Sequence, residues 1–128
     1  MDDDAQPRYS RPTMDLMPKG EYRKMTAMWQ TVLDRYCRRM LHEVVKAATA
    51  PEVGDHGRFL DVINLVDEKY DEMRHTFDNI RKSDGVYRLS VWRRNALLTD
   101  DEYATFSDAT RAEVERMVSI SPRPERSR

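Results

Sequence analysis

This sequence is poor in the features of secreted and membrane-spanning proteins. Its single cysteine, Cys37, excludes an intramolecular disulfide framework and fits a reducing compartment. No apolar run approaches the ~20 residues that a transmembrane helix requires. The chain opens with three aspartates, the reverse of the positively charged start of a secretory signal. We therefore expect a soluble cytoplasmic protein with no membrane partner.

An excess of charge of one sign is also missing. The chain has 22 Lys and Arg against 23 Asp and Glu, a net charge of −1, so no bulk field favours nucleic acid or an acidic substrate. The charge is segregated along the chain instead. Residues 20–50 carry six basic and three acidic side chains, whereas residues 55–84 carry five basic and eight acidic ones. Alternating signs of this kind favour attraction between neighbouring helices.

The ends of the chain differ from its middle. Apolar content is low at 39% and charged content is high at 35%, and part of this imbalance comes from proline-rich ends without a helical period. Residues 1–19 and 119–128 are therefore predicted to be disordered tails, the second of them basic. Residues 20–118 are predicted to form a single helical domain, which is long enough for an independent core.

The most regular pattern in the chain is an apolar seam at alternating spacings of four and three residues. Its members are Phe59, Ile63, Val66, Tyr70, Met73, Phe77 and Ile80. This spacing predicts a helix of roughly six turns with a coiled-coil-type seam. Such a seam usually faces the inside of a bundle, so we expect Tyr70 and Phe77 to be buried. A second copy of the chain could complete that core, which makes a homo-oligomer an alternative.

A second long helix is predicted before the seam, from Glu21 to Ala50, where proline and glycine are absent. A short loop punctuated by proline and glycine connects the two helices, with Asp55 as the expected N-cap of the seam helix. Asp84-Gly85 is expected to stop that helix. Two long helices joined by a short loop should pack as an antiparallel hairpin.

The C-terminal third is also predicted to be helical. Residues 86–98 fit both a strand and a helix, and we favour the helix because a lone strand would lack a hydrogen-bonding neighbour. Thr99 and Glu102 form a capping box, and Ser107 can restart the helix that follows. The predicted fold class is all-α, a long antiparallel helical hairpin closed by one or two C-terminal helices to form a small bundle.

Two motifs on the seam helix could in principle bind metal. Glu72 and His75 form an E-x-x-H pair, but di-iron bundles need two such pairs and two further glutamates. Glu68 and Asp71 form E-x-x-D, which resembles half of the carboxylate motif of MazG-like all-α nucleotide pyrophosphohydrolases. Those enzymes hold Mg²⁺ with E-x-x-E on one helix and E-x-x-D on the next, and the first helix here has no E-x-x-E. We predict no catalytic residue, metal site or cofactor.

We expect a non-catalytic helical interaction protein, such as an adaptor, inhibitor or assembly subunit, that binds a protein partner through charged helix faces. The predicted acidic face consists of Asp67, Glu68, Asp71 and Glu72. One alternative is a nucleic-acid-associated protein that uses a basic face. The predicted basic face consists of Arg35, Arg38, Arg39, Lys46, Arg93 and Arg94. A further alternative is an all-α metal-dependent nucleotide hydrolase that uses the carboxylates of the seam helix.

Overall fold

A computed structural model describes residues 16–120, and it contains no β-strand among them. Its five helices are α1 (Lys19–Ala48), α2 (Asp55–Phe77), α3 (Gly85–Arg94), α4 (Asp100–Ala104) and α5 (Asp108–Ile120). The all-α prediction is therefore confirmed. Residues 1–15 and 121–128, which make up most of the two predicted tails, lie outside the described residues.

The helices form two compact units. The hairpin unit consists of residues 29–78, and the terminal unit combines residues 16–28 with residues 79–120. Helix α1 contributes to both, because the boundary between the units falls inside it, after Met28.

In the hairpin unit, the later part of α1 runs antiparallel to α2. The Trp29 indole N–H donates to the carbonyl oxygen of Phe77 at 2.9 Å. About two turns further along α1, the Tyr36 hydroxyl donates to the Glu72 carboxylate at 2.6 Å. Later positions in α1 thus meet earlier positions in α2, and residues 49–54 connect the helices. The predicted hairpin is confirmed.

The core of the hairpin unit lies at the end away from this loop. Phe77 is 2% exposed, and its ring packs edge-on against Trp29 and Tyr36 at centroid distances of 6.5 and 5.6 Å. Val32 and Thr76 are buried at the same end. Edge-to-face aromatic pairs add about 0.5–1.5 kcal/mol to the burial of the rings, so this cluster holds the base of the hairpin together.

The predicted apolar seam is buried only at this base, and the expectation that its whole length would be buried is wrong. Met73 is half-buried, whereas Phe59, Ile63, Val66 and Tyr70 are exposed by 64, 41, 46 and 59%. The side of α2 that faces α1 consists instead of the residues that immediately precede the seam members. These are Val62, Leu65, Lys69, Glu72 and Thr76, which are half-buried or buried. One residue corresponds to about 100° on a helix, so the seam lies on the flank of the hairpin.

The ends of α2 also differ from the prediction. Its N-cap is Gly54, and Asp55 is the first helical residue. The helix ends at Phe77, three residues before the last seam member, and Asn79 then adopts a left-handed conformation with φ 54°. Gly85 does not end the helix but begins α3, where a Cβ atom would lie 2.8 Å from the Met17 sulfur. Met17 itself is buried, although the sequence assigned it to the N-terminal tail.

The terminal unit packs α3 against α5 around a compact apolar core. Its most deeply buried large side chains are Met17, Met25, Leu89, Trp92, Leu97, Phe106 and Val114. Residues 85–94 are helical, so the structure decides between the two interpretations of residues 86–98 in favour of the helix.

Two local signals in the terminal unit act as predicted. The Thr99 hydroxyl accepts from the Glu102 backbone N–H at 3.0 Å, and the Glu102 carboxylate accepts from the Thr99 N–H at 2.9 Å, which completes the capping box. The Ser107 hydroxyl accepts from the Thr110 N–H at 3.2 Å at the start of α5. Such caps satisfy backbone N–H groups that have no partner within the helix.

A buried carboxylate connects the start of α1 to the junction of α4 and α5. Glu21, 7% exposed, accepts from the Ser107 backbone N–H and from the Lys24 ammonium group, each at 2.8 Å. Burial by itself would raise the pKa of Glu21. The hydrogen bonds from Lys24, Ser107 and Thr110 outweigh that effect and hold the pKa of this carboxyl below its usual value.

Phe77→Ala and Tyr70→Ala test the burial pattern of the hairpin. We expect Phe77→Ala to lower the free energy of unfolding by about 3–5 kcal/mol, because it removes a buried ring and leaves a cavity in the core. Tyr70→Ala, at an exposed seam position, should cost less than about 1 kcal/mol. Denaturant unfolding at low protein concentration, where association cannot contribute, measures both. Equal losses would mean that Tyr70 is packed as tightly as Phe77.

Glu21→Gln tests the buried carboxylate. Because the folded-state pKa is depressed, the charged group stabilises the fold above its unfolded pKa, and this contribution is lost as pH falls through the folded pKa. We expect Glu21→Gln to cost about 1–3 kcal/mol at pH 7. The difference from the unsubstituted protein should shrink in acid, where Glu21 becomes protonated. Thermal unfolding across acid and neutral pH measures it, and a difference that is independent of pH would contradict the assignment.

Candidate protein-interaction surface

The hairpin unit exposes a continuous row of large apolar side chains on one flank. The apolar face, as we call it, consists of Leu41 and Val45 on α1 with Phe59, Ile63, Val66 and Tyr70 on α2. Each of these side chains is exposed by between 41 and 64%. Scattered apolar residues on a protein surface are ordinary, whereas a contiguous exposed set is a common feature of interaction surfaces.

Helix spacing explains why these residues lie together. Leu41 and Val45 are four residues apart on α1, and Ile63, Val66 and Tyr70 follow at three and four on α2. Residues at these spacings share one side of a helix. Because the packing stripes of both helices lie about 100° away, the two rows meet on the same flank of the hairpin.

Between the two rows runs a groove of about 340 Å³. Its floor includes Cys37 and Met73, whose sulfur atoms lie 3.9 Å apart, and Val44. Its walls include Leu41 and Tyr70 from the apolar face. The groove is lined almost entirely by apolar atoms, and its methionine and cysteine side chains are soft and adaptable.

The opposite flank of the hairpin has a different chemistry. It holds a shallow depression of about 440 Å³ that is lined by both polar and apolar side chains. The side chains there include Glu43, Lys46, Asp61, Asn64 and Glu68. The hairpin therefore has an apolar flank and a more polar flank, and the six exposed side chains of the apolar face lie on the first.

The structure separates the predicted acidic face into two parts. Asp67, Glu68 and Asp71 are exposed, whereas Glu72 is half-buried against α1. Glu72 accepts from the Tyr36 hydroxyl at 2.6 Å. Burial, followed by this hydrogen bond to a carboxylate, raises the pKa of Tyr36. Glu72 thus helps to hold the two helices together, and it does not belong to an open acidic wall.

The predicted basic face is also divided, because its members lie in different units. Arg35, Arg38, Arg39 and Lys46 are on α1 in the hairpin unit, whereas Arg93 and Arg94 are on α3 in the terminal unit. The Arg93 guanidinium stacks 4.1 Å from the centroid of the Tyr103 ring and donates to Glu115 at 3.3 Å. Those contacts fix Arg93 within the terminal unit.

Of the residues in the two metal-type motifs, Glu68, Asp71 and His75 are exposed, whereas Glu72 is held against α1. His75 Nδ1 lies 2.9 Å from the backbone carbonyl oxygen of Asp71, one turn earlier on the same helix. Within residues 16–120, no three His, Cys, Asp or Glu side chains are grouped so that they could hold a metal ion. In the same part of the chain, no helix combines the length and the apolar character needed to span a bilayer.

The sequence left room for a second copy of the chain at the seam, but the seam was expected to be buried and the apolar face was not identified as an exposed flank. A signal for that flank was present. The apolar stripe of α1 is widened by Leu41 beyond what one neighbouring helix can cover. The strict seam of α2 gives a second stripe beside its actual contact line. Two widened stripes on the helices of one hairpin indicate a common exposed flank.

No protein-family model matches this chain, and neither a curated protein nor a solved structure matches it significantly.

Proposed function

We propose that this protein is a non-catalytic interaction protein that binds another protein through the apolar face of its hairpin. The observation that supports the proposal is the exposure of six large apolar side chains on one flank of α1 and α2. Burial of apolar surface is the main driving force of protein association, at roughly 25 cal/mol per Å². A partner that covers this flank removes those side chains from water.

The size of the apolar face suits a partner with a helical surface. A whole aromatic side chain buries roughly 150–250 Å², so six side chains that are about half exposed offer on the order of 500 Å² of apolar surface. Standard protein interfaces bury about 800 Å² on each partner, with an apolar centre and a polar rim. Charged residues beside the apolar face supply such a rim.

In this proposal the charged surfaces have a different role from the one the sequence indicated. Exposed charges accelerate and orient association more than they tighten it. Asp67 and Asp71 border the apolar face on α2, and Arg38 borders it on α1. We assign the binding energy to the apolar face and the orientation of the partner to these charges.

Site-specific photocrosslinking tests this function in the living cell. A benzophenone amino acid replaces Tyr70, whose exposed aromatic ring it resembles, and in a matched control it replaces Asn64 on the polar flank. We expect a discrete protein adduct from position 70 and none, or a much weaker one, from position 64. The adduct should disappear when Val66→Asp is introduced beside the probe.

The crosslinking result can also contradict the proposal. An absence of adducts at position 70, or equal adducts at both positions, would show that the apolar face is not the contact surface. Circular dichroism of Val66→Asp must match that of the unsubstituted protein, since an unfolded variant would lose the adduct for a different reason.

A polyanion is the second candidate partner, favoured by the exposure of Arg38, Arg39 and Lys46 on α1. Binding through these cations releases counterions, so affinity for DNA or RNA should fall steeply as salt rises. We expect Arg39→Ala with Lys46→Ala to lower the slope of log affinity against log salt by up to ~2. Fluorescence anisotropy across a salt series measures it. No binding at low salt would exclude this partner class.

A further inference from the structure

We propose that the partner of the apolar face is a second copy of this chain, so that two hairpins form a four-helix bundle around a two-fold axis parallel to the helices. This inference rests on the proposed function, since it names the occupant of the same surface. In this arrangement α1 of one copy lies over α2 of the other, and every helix runs antiparallel to both of its neighbours.

The contacts within one hairpin fix which residues lie at the same height along it. Trp29 is level with Phe77, and Tyr36 is level with Glu72. Each step forward on α1 therefore matches a step backward on α2. Arg38 is consequently level with the stretch of α2 between Asp67 and Asp71.

Each helix carries a row of charges along the outer edge of the apolar face. On α1 the row is Asp34, Arg38 and His42, at intervals of four residues, and all three are exposed. On α2 the row is Arg74, Asp71 and Asp67, also exposed. From the base of the hairpin toward its loop, the row on α1 begins with a negative side chain and continues with a positive one. The row on α2 begins with a positive side chain and continues with two negative ones.

Rotation about a two-fold axis parallel to the helices leaves each residue at the same height along the bundle. Residues that are level within one hairpin are therefore also level across the dimer, and neither copy can slide along the other. The outer edge of α1 in one copy meets the outer edge of α2 in the other. Arg38 then faces the gap between Asp67 and Asp71 of the second copy. Asp34, about one turn closer to the base, faces Arg74 of the second copy. The order of charges is complementary at both levels.

The other face-to-face arrangement lacks this complementarity. A two-fold axis perpendicular to the helices places α2 on α2, and when that axis is level with Asp67 and Asp71 the carboxylates of the two copies lie near each other. Like charges across an interface are destabilising and select against such an arrangement. The charge rows therefore favour the parallel axis.

Existing contacts of the rim residues do not compete strongly with this pairing. The Asp34 carboxylate accepts from the Gln30 amide at 3.0 Å, Arg74 lies 3.9 Å from Asp78, and Asp71 lies 3.8 Å from His75. All three contacts are made by exposed side chains within one helix, and such contacts are worth at most about 1 kcal/mol. The rim side chains can exchange these contacts for pairs across the dimer.

Charge reversal with complementation tests the arrangement. Arg38→Glu places like charges at both symmetric contacts of a homodimer, and so does Asp67→Arg with Asp71→Arg. We expect the unsubstituted chain to sediment as a dimer and each variant to associate about tenfold or more weakly. An equimolar mixture of the two variants should form a heterodimer, because opposite charges then meet at both contacts. Native mass spectrometry distinguishes that heterodimer from either homodimer.

Controls separate this pairing from effects of net charge. Asp61→Arg with Glu68→Arg makes the same change in charge on the polar flank, and we expect its dimer to persist unchanged. Circular dichroism should show the same helix content in every variant. Loss of the dimer in this control would show that charge in general, and not the rim, governs association.

The outcomes distinguish this inference from the proposed function. The chain could stay monomeric at its highest soluble concentration and yet crosslink from position 70 to a different protein. That result would overturn the proposal that the partner is a second copy, and it would leave the interaction function in place. A dimer that survives both charge reversals, or a mixture that does not restore the heterodimer, would overturn the parallel axis. A chain that neither dimerises nor crosslinks would overturn both proposals.

Discussion

Two helices can bury between them only the side chains along one line of contact, and the hairpin of this protein is built within that constraint. Phe77 lies at the base of the line, edge-on to Trp29 and Tyr36. The hydrogen bonds from Trp29 and Tyr36 to α2 reinforce the same end. Farther toward the loop the helices touch, but no residue between positions 37 and 75 is buried. A hairpin alone cannot cover the remainder of its apolar surface.

The exposed flank follows from this constraint together with the spacing of the sequence. The seam of α2 lies one residue after the line of contact, so most of its members have no neighbour within the hairpin. Conversion of any one of them to a polar residue would cost the fold little. Packing within the hairpin therefore does not account for their apolar character, and contact with another surface, as proposed above, would account for it.

Local signals were enough to predict the elements of the fold. The capping box at Thr99, the restart at Ser107 and the helix that follows Gly85 each depend on residues within one or two turns. The hairpin could also be predicted, because a short loop allows two long helices no other compact arrangement. These predictions hold because they need no knowledge of how a helix is rotated about its own axis.

The candidate site could not be predicted, because it depends on that rotation. A strict apolar seam indicates which side of a helix is expected to be buried, but α2 meets α1 at a different angle, at which Glu72 and the Lys69 carbonyl oxygen accept from the Tyr36 hydroxyl. The sequence predicted Tyr70 buried and Glu72 exposed, whereas Tyr70 is exposed and Glu72 is half-buried. No local pattern reports a contact between two helices 36 positions apart. The same rotation separates Glu72 from the rest of the predicted acidic face, whereas the predicted basic face is divided because its members lie in two units.

The uneven burial along α1 also has a kinetic consequence. The first half of this helix carries Glu21, Met25 and Val32, all buried, whereas the half nearer the loop carries no buried residue after Tyr36. Local opening requires less free energy where fewer buried contacts must be broken. Backbone amides of the same helix should therefore exchange with solvent deuterium on a graded scale, slowest near Val32 and fastest beside the loop. In the proposed dimer the second copy would cover the end of α1 beside the loop, so exchange there should slow and the gradient should become shallower.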